Sequence, residues 1–376
     1  MKLTSGLGGQ LTVDLGALAR NWSALDKVSQ GALTAAVVKA DAYGTGIEMA
    51  AKALHAAGAR FFFVATPDEG VSVRTALPDA HIFVLNGLYP GAANLYIRQN
   101  LMPVIASMEM LEEWLNKCVE RNEAYPSAFH FDTGMNRLGF RLNEVVAVRE
   151  RIGRLGYAPQ MVMSHLACAD SPNHEKNRTQ LALFSSLMNQ FPGIPASLAN
   201  SAGLMTGRAY HFQMVRPGIA LYGGRAVIGR KNPMAPVVTL HAPILQVHEA
   251  RTGETVGYGA NYSLSRDSWL AVIGHGYADG FLRSLSSTNT RAGAKVFVNG
   301  RLCPVVGRIS MDQSIVDITE LGPNLPRPGE GVEVLGPNVS LDEQADAAGT
   351  IGYELLTSLK GRYNRVYVGN GYMPPQ

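Results

Sequence analysis

The stretch LTAAVVKADAYGTGIEMAAKALHAAGARFFFVAT, residues 33–66, decides the fold class of this 376-residue chain. Its two ends, LTAAVVK (33–39) and RFFFVAT (60–66), are short apolar runs rich in branched and aromatic residues, a pattern that predicts buried strands. The segment between them carries apolar residues at helical spacing. That stripe comprises Ile47, Ala50, Leu54 and Ala57. A strand, a helix and a second strand in this order predict a parallel β–α–β unit.

The same alternation continues along the first two thirds of the chain, where eight apolar runs are found in all. The six further runs are HIFVLN (81–86), MPVIAS (102–107), SAFHFDT (127–133), MVMSHLA (161–167), PASLAN (195–200) and HFQMVRP (211–217). Two further helical stripes are Met108, Leu111, Leu115 and Cys118, and Leu181, Phe184 and Met188. Eight strands alternating with helices over about 200 residues predict an α/β fold, a (β/α)₈ barrel of the TIM type.

Beyond about residue 235 the pattern changes to strand-like segments separated by Gly, Pro and Asn turns. These segments are PVVTLHAPILQVHEA (236–250), SWLAVIGHG (268–276), AKVFVNG (294–300), SIVDITE (314–320) and GVEVLG (331–336). Only residues 341–360 have a helical pattern. We therefore predict two domains, a barrel over residues 1–235 and a mainly β domain over residues 236–376.

Composition narrows the possible classes of protein. Apolar residues make up 46% and charged residues 17%, which is typical of a globular chain rather than a disordered one. The net charge of +3 favours neither a nucleic acid nor a membrane partner. Cys118, Cys168 and Cys303 have no metal-binding or disulfide-framework spacing, so no metal site is expected. The start of the sequence resembles no secretory signal, and no run of eighteen apolar residues occurs, which predicts a cytoplasmic protein.

Active sites of such barrels lie at the carboxyl ends of the strands, and Lys39 ends the first apolar run. A lysine there either extends to solvent at the barrel rim or has a lowered pKa, which would make it a nucleophile able to form a Schiff base. The loops after the seventh and eighth runs contain Ser201 and Gly218, small residues suited to binding an anion. A reactive lysine opposite an anion site matches the needs of pyridoxal phosphate.

Nine segments follow one another in the order found in alanine racemases, and the chain resembles that family of pyridoxal-phosphate enzymes. The segments are AVVKADAYGTG (36–46), HFDTGMNRLGF (130–140), HLACAD (165–170), LANSAG (198–203), VRPGIALYG (215–223), VGYGANYS (256–263), GYADGF (276–281), GRISMDQSIVDIT (307–319) and IGYELLT (351–357). The resemblance spans about residues 10–365. It implies a barrel that binds pyridoxal phosphate, a homodimer with shared active sites, and D-alanine production for peptidoglycan.

The resemblance also implies a role for individual residues. Lys39 is expected to form the Schiff base and to act as the base on one face of the cofactor, while Tyr262 of the partner subunit acts on the other face. Arg216 would face the pyridine nitrogen, and His165 would support Arg216 and Tyr262. The further cofactor-binding residues are Tyr43, Ser201, Gly218, Ile219 and Tyr353. The predicted substrate-carboxylate contacts are Arg137 and the backbone N–H of Met311.

Two bases fit the chemistry of racemisation, because a proton leaves the α-carbon on one face and returns on the other. An arginine opposite the ring nitrogen keeps its own proton, since its ordinary pKa exceeds about 12. The ring would then be a weaker electron sink, which disfavours transamination. Read without the resemblance, Tyr262 could be a surface residue, Arg137 an ion-pair partner at the rim, and Met311 part of the core.

The chain departs from the family at three positions. Asp41 and Thr45 stand where KANAYGHG of many members has Asn and His. His130 stands where many members have a lysine, often carbamylated, so the negative group expected beside Arg137 is absent. These changes leave the groups needed for proton transfer in place.

Three alternatives remain open at this point. A broad-specificity amino-acid racemase shares most of the motifs, although such enzymes usually carry a signal peptide. A barrel-type decarboxylase shares the lysine and the two-domain layout but has a glycine-rich loop and a catalytic cysteine segment. A pyridoxal-phosphate carrier has the barrel alone. Tyr262 and Tyr353 would favour alanine, since aromatic walls exclude larger side chains.

Overall fold

The computed structural model describes residues 8–359 and 361–369. Among the described residues up to 235, the chain contains ten strands and nine α-helices. The strands are β1 (Gln10–Asp14), β2 (Leu33–Thr34), β3 (Ala36–Val37), β4 (Phe61–Val64), β5 (His81–Val84), β6 (Met102–Ile105), β7 (Ala128–His130), β8 (Met161–Met163), β9 (Ala196–Asn200) and β10 (Met214–Arg216). The helices are α1 (Leu15–Ser29), α2 (Lys39–Gly44), α3 (Ile47–Ala57), α4 (Pro67–Ala76), α5 (Ala93–Arg98), α6 (Met108–Arg121), α7 (Val145–Gly153), α8 (Glu175–Met188) and α9 (Ser201–Thr206).

Parallel strands β2 to β10 form a closed barrel. Their order is β2-β10-β9-β8-β7-β6-β5-β4-β3, so the two short strands β2 and β3 occupy the two ends of the list. They are halves of one run, interrupted at Ala35, whose N–H donates to the carbonyl of Val215 at 3.0 Å. Because β2 pairs with β10 and β3 pairs with β4, this run closes the ring. The predicted barrel built from eight apolar runs is confirmed.

Helix ends in the barrel follow from local sequence. Ser107 caps α6, since its hydroxyl accepts a hydrogen bond from the N–H of Met110. Thr66 and Glu69 form a capping box at the start of α4, and Pro67 occupies the first turn, where its missing N–H costs nothing. The predicted helical stripes lie on α3, α6 and α8, and their apolar faces cover the barrel.

The second part of the chain is mainly β, as predicted. It contains β11 (Val238–Ala250), β12 (Ser268–Ile273), β13 (Lys295–Val298), β14 (Arg301–Val306), β15 (Ser314–Asp317), β16 (Gly331–Leu335), α10 (Leu341–Ala348), α11 (Gly352–Ser358) and β17 (Asn364–Val368). The long strand β11 pairs with β1 and β16 through its first half and with β12 through its second half. The helices α10 and α11 lie within the predicted helical segment 341–360, whose last residue is outside the described part.

Three strands are absent from the sequence prediction. Strand β14 contains Pro304, and proline has no N–H for the sheet, so its presence argued against a strand. Strand β17 is short and begins with polar residues. Strand β1 precedes the barrel in sequence but joins the second sheet, where it pairs with β11 and β17. The division of the chain at residues 235 and 236 stays a prediction. Within the described ranges, no helix is long and apolar enough to cross a membrane.

Candidate active site

The residues after Lys39 form a left-handed turn, which we call the lysine turn (α2, 39–44). Ala40, Asp41, Ala42 and Tyr43 have φ between 52° and 55° and ψ between 40° and 55°. Residues with a Cβ pay roughly 1–2 kcal/mol each in this conformation. Four such residues in succession must therefore be fixed by their surroundings, and strain of this kind is concentrated at functional sites. The sequence predicted a tight turn here but not its handedness.

The lysine turn faces a cavity of about 230 Å³ at the carboxyl ends of the barrel strands. Ten residues that the sequence analysis singled out line it together. They are Lys39, Tyr43, His130, Arg137, His165, Ser201, Arg216, Gly218, Ile219 and Tyr353. The residues that the strand-end rule selected therefore meet in one cavity, because parallel strands direct their carboxyl ends to one mouth.

The amine of Lys39 is prepared for reaction by its surroundings. Burial, and then the positive charge of Arg137, lower the pKa of Lys39, while the carboxylate of Glu69 acts in the opposite direction. A lowered pKa increases the fraction of free amine, which is the nucleophilic form. Lys39 is only partly buried at the cavity wall, so the amine is open to a ligand.

A small anion cradle lies where β9 and β10 end. The hydroxyl oxygen of Ser201 accepts the N–H of Gly218 at 2.8 Å, which leaves the hydroxyl proton free to be donated into the cavity. Gly218 has no room for a side chain, since a Cβ there would lie 2.2 Å from the phenol oxygen of Tyr43. Burial raises the pKa of Tyr43, so its phenol stays a proton donor. Burial, followed by Asp170, likewise raises the pKa of Tyr353 to about 12.

Arg216 is a buried guanidinium with neutral partners. Its Nη2 donates to the carbonyl oxygen of Ser164 at 2.6 Å and lies 3.4 Å from Nδ1 of His165, and its Nη1 donates to the hydroxyl of Ser197. The guanidinium carbon also lies 5.9 Å from the centre of the Phe63 ring. Burial lowers the pKa of Arg216 to about 9. The site therefore fixes the position of this group, and no carboxylate among the described residues forms an ion pair with it.

The two histidines of the cavity are neutral. Burial, and then the charges of Arg216 and Arg137, lower the pKa of His130 to about 3. Burial, again followed by Arg216, lowers the pKa of His165 well below its usual range. The carbonyl oxygen of His165 accepts a hydrogen bond from Nε2 of Gln180 at 2.9 Å, which fixes the loop after β8.

Arg137 lies in the loop after β7, which the carboxylate of Asp132 holds in place. One carboxylate oxygen of Asp132 accepts the N–H groups of Gly134 and Met135 at 2.8 and 2.7 Å, and the other accepts from Arg141 at 2.8 Å. The guanidinium of Arg137 is exposed and makes no hydrogen bond or ion pair with any residue in the described part of the chain. It is therefore available to bind an anionic group of a ligand.

Two predicted site residues lie outside this cavity. Tyr262 packs against a separate small core cluster of the β domain, and Met311 is 54% exposed. Their proposed roles stay predictions, and within one chain neither residue lines the mouth of the barrel. Tyr258, four residues before Tyr262, is 71% exposed on a short turn. Sequence analysis did not select Tyr258, although it lies in the same motif.

Several lining residues were missed as well. Phe63, Asn86, Leu138 and Met163 also line the cavity. Asn86 ends the third apolar run, so the strand-end rule could have found it. The other three are apolar residues, which sequence alone does not separate from the core.

The donor set suits an aromatic aldehyde that bears a phosphate. Lys39 offers an amine, the cradle of Ser201 and Gly218 offers a hydroxyl and a closely approaching backbone, and Arg216 offers a cation in the same cavity. Because a Cβ at position 218 would lie 2.2 Å from the phenol oxygen of Tyr43, only glycine lets the backbone and this phenol meet at the cradle. Among residues 8–359 and 361–369, no group of three His, Cys, Asp or Glu side chains could hold a metal ion.

Two family models match consecutive parts of the chain. One, described as the N-terminal domain of alanine racemase, matches residues 13–226, and the other, described as the C-terminal domain, matches residues 237–367. An alanine racemase of Rhizobium meliloti is 48% identical over 367 residues, which cover 96% of this chain and 97% of that protein. A biosynthetic alanine racemase of Agrobacterium fabrum is 49% identical over 366 residues, covering 96% and 93%.

Solved structures show the same similarity. A crystal structure of alanine racemase from Bartonella henselae with covalently bound pyridoxal phosphate has a TM-score of 0.90 and 36% identity. The match covers 96% of this chain and 99% of that one. The biosynthetic alanine racemase of Pseudomonas aeruginosa has a TM-score of 0.88 and 34% identity, covering 96% and 100%.

Proposed function

The chain belongs to the alanine racemase family, and we propose that it interconverts L- and D-alanine with pyridoxal phosphate, using one base on each face of the bound substrate. The observation that carries this proposal is the convergence of Lys39, the Ser201–Gly218 cradle, Arg216 and Arg137 on one cavity. The cofactor, when bound, withdraws electron density from the α-carbon and so acidifies its hydrogen.

Different residues would bind different parts of pyridoxal phosphate. Lys39 would bond to the aldehyde carbon, and Ser201, Gly218, Ile219, Tyr43 and Tyr353 would surround the phosphate. Arg216 would face the pyridine nitrogen. Although burial lowers the pKa of Arg216 to about 9, its guanidinium is still a much weaker acid than a protonated pyridine nitrogen, so it would donate a hydrogen bond to that nitrogen and keep its proton.

The substrate would be oriented through its carboxylate. Arg137 lines the cavity and forms no ion pair with a described residue, and the backbone N–H of Met311 from a second subunit is the further predicted contact. Leu138, beside Arg137, and Tyr353 both line the cavity, and we propose that they narrow its mouth to suit a methyl side chain. A larger side chain would have to displace one of these walls, so we propose alanine rather than a broad range of amino acids.

Proton transfer requires a second base, and we propose that a tyrosine of the loop 256–263 supplies it from the partner subunit of a homodimer. The loop is fixed by the N–H of Val256, which donates to the carbonyl of Tyr262 at 2.8 Å. Tyr262 is the residue predicted from sequence. In this chain, however, burial and then Asp317 raise the pKa of Tyr262, which opposes service as a base. The exposed Tyr258 is better placed to enter another subunit, and we therefore propose Tyr258 as the second base.

Single substitutions test the choice between the two phenols. Tyr258→Phe should retain bound cofactor and lose racemisation of alanine in both directions, measured by circular dichroism of L- and D-alanine solutions. Tyr262→Phe is the matched control, and it should keep most of the activity. The reverse pattern would instead support the residue predicted from sequence, and normal turnover by both variants would refute a base from this loop.

Mixed dimers test whether the site is shared between subunits. Lys39→Ala and Tyr258→Phe are each expected to be inactive alone. After dissociation and reassociation of an equal mixture, half of the dimers carry both chains and have one intact site of two, so activity should return to about a quarter of the unsubstituted value. No recovery would refute the shared site.

The D-alanine formed is proposed to supply peptidoglycan precursors, a role that rests on the resemblance. A bacterial strain that requires D-alanine should grow without it when it expresses this chain. A strain expressing Lys39→Ala is the control. Continued dependence on D-alanine in both strains would contradict the proposed role.

A further inference from the structure

The start of the lysine turn is held by an acidic side chain from the neighbouring helix. We propose that Glu69 is a positioning residue for Lys39, fixing the turn that carries the lysine and placing the negative charge that faces its amine. The inference rests on the proposed function, in which Lys39 carries the cofactor.

The carboxylate of Glu69 joins two strand ends of the barrel. Its Oε1 accepts the N–H of Ala40 at 2.6 Å, and its Oε2 accepts the N–H of Ala65 at 2.7 Å. Ala40 directly follows Lys39, and Ala65 directly follows β4. Charge-assisted bonds of this length are among the stronger hydrogen bonds in proteins. One carboxylate thus ties the lysine turn to the end of the adjacent strand.

A second capping box in the same chain, at the start of α10, shows which hydrogen bonds a glutamate makes when it only caps a helix. At α10, Glu343 accepts the N–H of Ser340 at 3.2 Å and the hydroxyl of Ser340 at 2.8 Å. Glu343 makes no hydrogen bond beyond its own helix start among the residues that the structure describes. Glu69 also forms a capping box, with Thr66. Its bond to Ala40 is therefore additional to capping.

The lysine turn needs such an anchor because its conformation is costly. Its far end is held by Tyr43, whose ring stacks on Tyr222 at 4.5 Å. Its middle is held by Asp41, which accepts the N–H of Ile47 at 2.8 Å. The near end, beside Lys39, is held from outside the turn by the carboxylate of Glu69. Loss of this bond would release the part of the turn that sets the direction of the lysine side chain.

Charge gives Glu69 a second effect on the same amine. The groups that act on Lys39 are Arg137 from the loop after β7, which lowers its pKa, and Glu69, which raises it. The imidazole of His165 also faces Lys39, and it is neutral. Without the carboxylate of Glu69, no other group in the described part of the chain would oppose the effect of Arg137 on the pKa of Lys39, and the amine would lose its proton still more easily.

The experiment measures the amine directly in the apoprotein. Lys39 is acetylated with trace reagent across a range of pH, and the labelled peptide is quantified by mass spectrometry. The variants are Glu69→Gln, Glu69→Asp and the matched control Glu343→Gln. Glu69→Gln removes the negative charge that opposes the lowered pKa of Lys39, so the midpoint for Lys39 should move lower by about one pH unit. Glu343→Gln should leave that midpoint unchanged.

Glu69→Asp separates charge from position, because it keeps the carboxylate but shortens the side chain by one methylene. Its midpoint should stay near that of the unsubstituted protein while its affinity for pyridoxal phosphate falls about tenfold, which corresponds to a lost hydrogen bond. Glu69→Asp also tests the proposal if Glu69→Gln fails to fold. An unchanged affinity of Glu69→Asp for pyridoxal phosphate would then overturn the proposal. An unmoved midpoint in Glu69→Gln, or an equal shift in Glu343→Gln, would overturn it as well.

A separate observation reports on the proposed function. Borohydride reduction of the protein with its cofactor, followed by peptide mapping, identifies the lysine that bears pyridoxal phosphate. A different lysine would refute the role of Lys39. The acetylation midpoints would still show whether Glu69 acts on Lys39, so the two failures are distinguishable.

Discussion

Replacing Gly218 by alanine should weaken cofactor binding through a clash that can be read from the coordinates. The added methyl would lie 2.2 Å from the phenol oxygen of Tyr43 and 3.1 Å from its ring carbon. Ordinary contact begins near 3.4 Å, so the phenol must move by about 1 Å or more. Tyr43 cannot move freely, since it is 4% exposed and stacks on Tyr222.

The magnitude follows from the cost of overpacking. Forcing an extra methyl into a well-packed site costs roughly 1–3 kcal/mol, and each 1.4 kcal/mol is a factor of ten in an equilibrium constant. If the strain is relieved by displacing Tyr43 from the anion cradle, the dissociation constant for pyridoxal phosphate should rise roughly 5- to 150-fold. If the strain instead remains in the apoprotein, its free energy of unfolding should fall by the same amount.

Two measurements on the same variant capture both outcomes. Apoprotein is titrated with pyridoxal phosphate while circular dichroism in the visible range reports the bound cofactor, and thermal unfolding is recorded without cofactor. Gly153→Ala is the control, because a Cβ at that helical position meets nothing within 4 Å. It should be neutral or stabilising by up to about 1 kcal/mol. Unchanged affinity together with unchanged stability in Gly218→Ala would refute the reasoning.

Three further perturbations have defined expectations. Asp41→Asn removes a half-exposed ion pair with Arg365, in which the charged atoms lie 3.2 Å apart. The free energy of unfolding in urea should fall by less than about 1 kcal/mol, and activity should persist. A larger fall in stability would contradict this expectation. Ser197→Ala leaves a buried N–H of Arg216 without its acceptor and should cost about 1–3 kcal/mol, seen in thermal unfolding; unchanged stability would count against it. Burial lowers the pKa of His275 to about 3, so the unfolded chain binds a proton that the folded chain does not, and stability should decline as pH falls from about 6.5 towards 3. His275→Gln should show a shallower decline, and an equally steep one would refute the assignment.

Local sequence was sufficient for much of the barrel. Period and composition identify the eight runs, because a buried parallel strand must be apolar along its whole length. The rule that function lies at the carboxyl ends then selects Lys39, Ser201 and Gly218 without any knowledge of contacts. The resemblance added residues such as Arg137 and Tyr353, which no periodicity distinguishes.

Other features depend on contacts between distant parts of the chain. Strand β1 reads as the beginning of the barrel domain, yet its hydrogen-bond partners β11 and β17 lie more than two hundred residues away. The exposure that separates Tyr258 from Tyr262 likewise depends on which residues pack beside them. Neither property is encoded in a window of neighbouring residues.

The sequence by itself determined the alternation of strands and helices in the barrel, the mouth at which the candidate site residues meet and which reactive groups they carry. Only the tertiary structure decided that the lysine stands on a left-handed turn and that Glu69 reaches that turn from another helix. It also decided that the histidines of the cavity are neutral. The physical reason is that backbone strain and pKa depend on burial and on charges brought together in space, whereas periodicity reports only which face of each element is buried.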